Sequence, residues 1–139
     1  MKKYFSIFIL VMFSCAVLAA GKTRLSDSEI SELLVGRWRV MMSDGDTKLD
    51  AVNVYHADGR MIQNGRVTAK GKRINIAMES AWKVEKGKLI SSLVSIKPRG
   101  LIPAGLKTTD TIISINKVEF VFKDGKTGKR ETYYRISEQ

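Results

Sequence analysis

GRWRV, residues 36–40, sets one indole between two arginines directly after a glycine. In an extended strand alternate side chains face opposite sides, so Trp38, Val40 and Met42 share one face while Arg37, Arg39 and Met41 share the other. The segment therefore predicts a strand with a large aromatic inside and cations outside. It also marks a change of period. Just upstream, Ile30, Leu33 and Leu34 recur at helical spacing; from Arg37 onward the apolar residues alternate.

The upstream signal is a short helix. Ser26-Asp27-Ser28-Glu29 has the spacing of a capping box, Leu25 and Ile30 are placed as a hydrophobic staple, and Gly36 ends the turn. Downstream, turn signals recur at Asp44-Gly45, Asp58-Gly59, Lys70-Gly71, Lys86-Gly87, Asn116-Lys117 and Asp124-Gly125. Between them the alternation continues in Ile74, Ile76 and Met78, in Trp82 and Val84, in Leu89, Ser91 and Leu93, and in Val118, Phe120 and Phe122. Short alternating runs separated by turns predict an antiparallel meander of eight or nine strands. An open sheet would leave two bare edges, whereas an up-and-down barrel pairs them, so the expected fold is an all-β closed barrel with a short N-terminal helix.

The first twenty residues have a different character. Lys2 and Lys3 precede an apolar run from Tyr4 to Ala20 that closes on small residues at AVLAAG. This is the pattern of a secretory signal peptide, too short for a membrane span and followed at once by Lys22 and Arg24. Residues 1–20 are thus expected to be a signal peptide and 21–139 a single barrel domain, periplasmic or secreted. A lipoprotein anchored through Cys15 is the competing expectation. About 119 residues then remain, enough for one modest core.

Composition narrows the chemistry. Cys15 is the only cysteine, so the segment after the leader has neither disulfides nor thiolate ligands. Lys2 and Lys3 belong to the leader; without them the 24 basic and 14 acidic side chains leave a balance of +8. For an exported chain that charge favours an anionic envelope surface as partner, or solubility alone, over nucleic acid. His56 is the single histidine, which excludes a multi-histidine metal site within one chain. Asp44, Asp46 and Asp50 lack the ligand spacing of a calcium loop, because Lys48 falls where an oxygen is needed. Ser91, Ser92 and Ser95 have no histidine partner, and Glu79 with Glu85 is too common a pair to signify. No catalytic residue, metal or cofactor is expected.

The stretch Leu33-Leu34-Val35-Gly36-Arg37-Trp38, with its helix before and strand after, resembles the GxW signature of lipocalin and calycin barrels. The YHADGR turn, the AWKVEKGKL segment and the closing YYRI resemble small exported bacterial lipocalin-like proteins. The resemblance implies that an arginine of a late strand packs across the opening tryptophan. Arg135 matches that role best and Arg130 second, in a cation–π contact of about 0.5–2 kcal/mol.

Two functional readings stay open. In the first, the barrel holds a small apolar or amphipathic ligand, with Trp38, Val40, Trp82, Phe120, Tyr133 and Arg135 as candidate contacts. Leu101, Ile102 and Leu106 would join them from the long segment Lys97–Lys107, which contains both prolines. That segment reads as a lid, as a shallow membrane insertion, or as a plug folded onto the core. In the second reading the basic exterior engages an anionic polymer, a lipid head group or a protein partner. Neither reading makes the chain an integral membrane protein.

Overall fold

The computed structural model describes residues 24–137. The expected leader, its cleavage site and Cys15 lie outside the described residues. Helix α1 (Asp27–Leu34) starts as its capping box requires, with Ser26 Oγ accepting from the Glu29 N–H at 3.1 Å. Eight strands follow: β1 (Gly36–Asp44), β2 (Thr47–Tyr55), β3 (Arg60–Ala69), β4 (Lys72–Glu85), β5 (Lys88–Lys97), β6 (Lys107–Ile115), β7 (Glu119–Lys123) and β8 (Arg130–Arg135). Each pairs antiparallel with the next, and β8 pairs with β1 to close the barrel. The architecture is the predicted one, consistent with a lipocalin-like fold, and the strand number is eight.

Two-residue turns join β3 to β4 at Lys70-Gly71 and β4 to β5 at Lys86-Gly87, with positive φ at all four positions. This is the backbone that matches strand twist in tight hairpins. In the first hairpin the turn falls one residue later than expected, on Gly45 and Asp46, because Asp44 still pairs with Thr47. Val118 is a second difference. It lies in the turn before β7 and is 67% exposed, so the inward alternation of that strand begins only at Phe120. Ile74, also expected inward, lies near the open end and remains partly exposed.

Closure is short and local. Only Trp38↔Arg135 and Arg39↔Tyr134 are in register across the β1–β8 seam, extended by Ile136 N–H to Arg37 C=O at 2.9 Å. At that seam the Arg135 guanidinium lies 4.3 Å from the Trp38 ring centroid, as the resemblance implied. The same two side chains serve the C-terminus of α1. Trp38 Nε1 donates to the Leu34 carbonyl at 2.8 Å, Arg135 Nη1 donates to the Val35 carbonyl at 3.0 Å, and Arg135 Nη2 donates to the Leu33 carbonyl. Helix ends leave their last carbonyls without internal partners, and α1 has no basic residue in its last turn. Arg135 supplies that cation from the other end of the chain. Gly36 is required here: its φ is +134°, and a Cβ would collide with Arg135 Nη1.

Around this closed end the interior is solid. Trp38, Val40, Leu34 and Phe120 are fully buried, and Phe120 meets Trp38 edge-on at 6.1 Å and Phe122 in a stack at 5.1 Å. Trp38→Ala should therefore cost about 3–5 kcal/mol, by opening a cavity and removing the cover of the helix terminus. Urea denaturation checks it. An unchanged unfolding midpoint would show that the indole is not the centre of this core.

Candidate functional site

The sequence-predicted contact residues fall into two groups at opposite ends of the barrel. Trp38, Val40, Phe120, Tyr133 and Arg135 belong to the core beneath α1. Trp82 packs edge-on against Tyr55 at 5.5 Å, and its Nε1 donates to the Arg60 carbonyl at 3.0 Å. Leu101, Ile102 and Leu106 instead lie at the far end, in the loop between the end of β5 at Lys97 and the start of β6 at Lys107. Leu101 and Leu106 are 48% and 46% exposed, and Ile102 is half-buried. The loop is pinned rather than plugged: Gly105 N–H donates to the Leu93 carbonyl at 2.8 Å, and Leu93 N–H to the Leu106 carbonyl at 2.9 Å. These residues are not core, so the plug reading fails.

Between the two groups the interior carries a polar layer. Buried Gln63 donates to Asn53 at 2.7 Å, and the Tyr133 hydroxyl reaches Met42 Sδ at 4.0 Å. Burial pushes the phenols of Tyr55 and Tyr133 upward, with Asn53 moderating Tyr55 and the neighbouring Tyr55 adding to the shift of Tyr133. Asp110, half-buried, is also raised by desolvation, partly offset by the Gly125 N–H donated to its Oδ1 at 2.9 Å.

A well-formed concave surface lies elsewhere. β6 pairs with β5 only as far as Thr111↔Lys88, then runs on to Ile115 with no further β5 partner. Past that pair Ile112 N–H still donates to the Gly87 carbonyl at 3.0 Å, and the start of α1 lies beside the last residues of β6. The result is a groove of about 760 Å³ bounded by Arg24–Asp27, Ile30, Lys86, Gly87 and Thr111–Ile115. A register irregularity between Ile112 and Ser114 makes room for Ile113, which is 47% exposed on the groove. Its floor reaches the core at Ile30 and Ile115.

Asp27 holds the groove's frame. Its two carboxylate oxygens accept from Lys86 N–H at 2.7 Å and Gly87 N–H at 2.9 Å, so the start of α1 is tied to the β4–β5 turn. Its charge is thereby engaged by backbone donors. Among the described residues neither Arg24 nor Lys86 forms a salt bridge. The groove thus offers an apolar floor with cations at its rim. Sequence reading passed over Asp27, Lys86 and Ile113, because a capping segment and a Lys-Gly turn carry no sign that they will meet. The only available hint was the helix signal itself, which placed Ser26 and Asp27 at an exposed N-terminus.

Other candidates do not converge. Asp50 is paired with Arg39 at 3.0 Å and Asp44 with Lys129 at 3.8 Å. His56 ends β2, where its N–H donates to the Arg60 carbonyl at 2.8 Å. Among the described residues no helix is long and apolar enough to cross a membrane. Comparison with protein-family models and with curated proteins returns no match.

The buried phenols give a signed pH dependence. In the unfolded chain they ionise near 10.0, whereas in the fold they ionise higher. Their contribution is complete below pH 10.0 and is lost as pH rises through the folded values. Tyr55→Phe with Tyr133→Phe should make the alkaline loss of stability shallower, as read from urea midpoints on either side of pH 10.0. An identical alkaline slope in the double variant would place both hydroxyls in water.

Proposed function

We propose that the protein is an exported, non-enzymatic binding module that takes a small amphipathic anion in the groove between α1 and β6. The observation that carries this reading is the groove itself. Its volume falls within the ~300–1,000 Å³ of small-molecule sites, and its composition is the usual mixture of apolar lining and a few placed polar groups. Ile30, Ile113 and Ile115 would cover the apolar body of a ligand, while Arg24 and Lys86 would hold an acidic head. The sequence-level expectation of a ligand in the barrel is kept as a class but moved in place, because the interior beneath α1 is filled by Trp38, Phe120 and Phe122. Export rests on the leader-like residues 1–20. The basic balance supports a second reading, in which the exterior engages an anionic envelope surface.

The test is uptake of a fluorescent amphipathic anion, anilinonaphthalene sulfonate, by the folded protein, followed by displacement with a long-chain carboxylate. Ile113→Asp and, separately, Lys86→Glu should each weaken uptake at least about tenfold, the worth of one lost apolar or charge-assisted contact. Leu101→Ala with Leu106→Ala should leave it unchanged. Uptake that follows the loop variant and ignores Ile113→Asp would return the ligand to the open end, and no uptake at all would sink the reading.

A further inference from the structure

A second concave surface lies on the outer face of β1–β4, at the end away from α1. It is a groove of about 300 Å³ bordered by Met41, Ser43, Lys48, Asp50, Arg66, Thr68 and Arg73, with Met42 and Leu49 beneath. We propose that it is a binding site for a phosphate group, held by Lys48, Arg66 and Arg73 together with the hydroxyls of Ser43 and Thr68. The site is separate from the groove beside α1 and stands whether or not that groove binds a ligand.

Register brings the cations together. Thr68 is paired with Lys48 on one side and with Arg73 on the other, and Lys48 is paired in turn with Ser43. Directly paired residues share a face, and strands lie ~4.8 Å apart, so Lys48 and Arg73 flank Thr68 with backbones about 10 Å from each other. Arg66, two residues before Thr68 on the same strand, shares that face at a distance of about 7 Å. Three long cationic side chains from three strands can therefore meet over one hydroxyl.

Charge compensation is directed elsewhere. Asp50 is opposite Arg66 in register, yet both of its carboxylate oxygens lie 3.0 Å from Arg39 Nη2. Among the described residues Lys48, Arg66 and Arg73 form no salt bridge, whereas Arg60, Lys83 and Lys129 each have a carboxylate. Like charges held this closely repel one another unless an anion lies between them. Two guanidinium forks and an ammonium suit the several acceptor oxygens of a phosphate better than the two of a carboxylate.

The neighbouring strands are close-packed. β2 and β3 approach so closely at Ala51↔Gly65 that a Cβ on Gly65 would collide with Ala51 and with the Asp50 carbonyl. At the rim Met41 is 66% exposed, giving an apolar neighbour to the cations. A phosphate on an apolar body, as in a lipid head group, and a free phosphate share the chemistry that the cations recognise.

Two arms distinguish these sources. Inorganic phosphate is titrated into the full mature chain while the backbone amide shifts of residues 43–50 and 66–73 are followed. In parallel, the chain is floated with vesicles of phosphatidylcholine alone or with added phosphatidate. Arg66→Gln with Arg73→Gln should weaken binding at least about tenfold, the worth of one charge-assisted hydrogen bond, without changing the thermal melt. Lys123→Gln with Lys126→Gln removes the same charge elsewhere and should not match that loss. Saturable shifts with inorganic phosphate assign a site for the group itself; binding confined to phosphatidate vesicles assigns a head-group site. No binding in either arm, or equal losses in both double variants, overturns the proposal. If the glutamine pair fails to fold, Lys48→Gln against Lys123→Gln makes the same comparison.

Discussion

The barrel depends on a single contact between its first and last strands. Trp38 and Arg135 face each other across a seam of two register pairs, and together they donate to the Leu33 and Leu34 carbonyls of α1 and to that of its cap, Val35. One stacked pair thus closes the sheet and seats the helix over the closed end. The ladder between β1 and β8 is too short to hold the seam by backbone bonds alone. What stabilises it is the simultaneous satisfaction of the orphan carbonyls, the helix dipole and the buried indole. Burial also draws the Arg135 pKa below its ordinary value, and its Nε is buried without a partner. The guanidinium is held in place in spite of its desolvation.

Where α1 sits determines where the groove lies. Filling the helix end with Trp38, Phe120, Phe122 and Tyr133 consumes the interior beneath the helix. Because β6 outruns β5, its last residues have no β5 neighbour, and Asp27 fastens the start of the helix beside them by accepting from the Lys86 and Gly87 amides. A groove outside the barrel axis is thus the geometric consequence of an unequal pair of strands. The charged exterior is organised in a similar way. Several cations have carboxylates beside them, while Lys48, Arg66 and Arg73 are brought together by register and, among the described residues, form no salt bridge.

Much of the fold was legible because the physics behind it is local. Alternation through GRWRV placed Trp38 and Val40 inside, Lys-Gly and Asp-Gly pairs marked the hairpins, and the capping box marked α1. The errors were local too. Val118 shares the parity of Phe120, but the Asn116 side chain accepts from both the Val118 and Glu119 amides at 2.8 Å and keeps the segment in a turn. Parity alone does not reveal where pairing starts. For the Lys97–Lys107 segment three aliphatic residues allowed lid, membrane insertion and plug alike; the exposure of Leu101 and Leu106, with the end of the loop tied to Leu93 by two backbone hydrogen bonds, removes only the plug.

By itself, the sequence determined the all-β class, the antiparallel order and the short leading helix, because strand period, turn chemistry and capping act over a few residues; the tryptophan–arginine pairing was implied by the resemblance to lipocalin-like barrels. Only the tertiary structure decided where a ligand has room and which charges are left over. Those properties depend on how far β6 runs past β5, on the two oxygens of Asp27 meeting a turn 59 and 60 residues away, and on Asp50 turning toward Arg39 rather than Arg66. Each is set by how separate strands and turns are placed against one another, which local period does not encode.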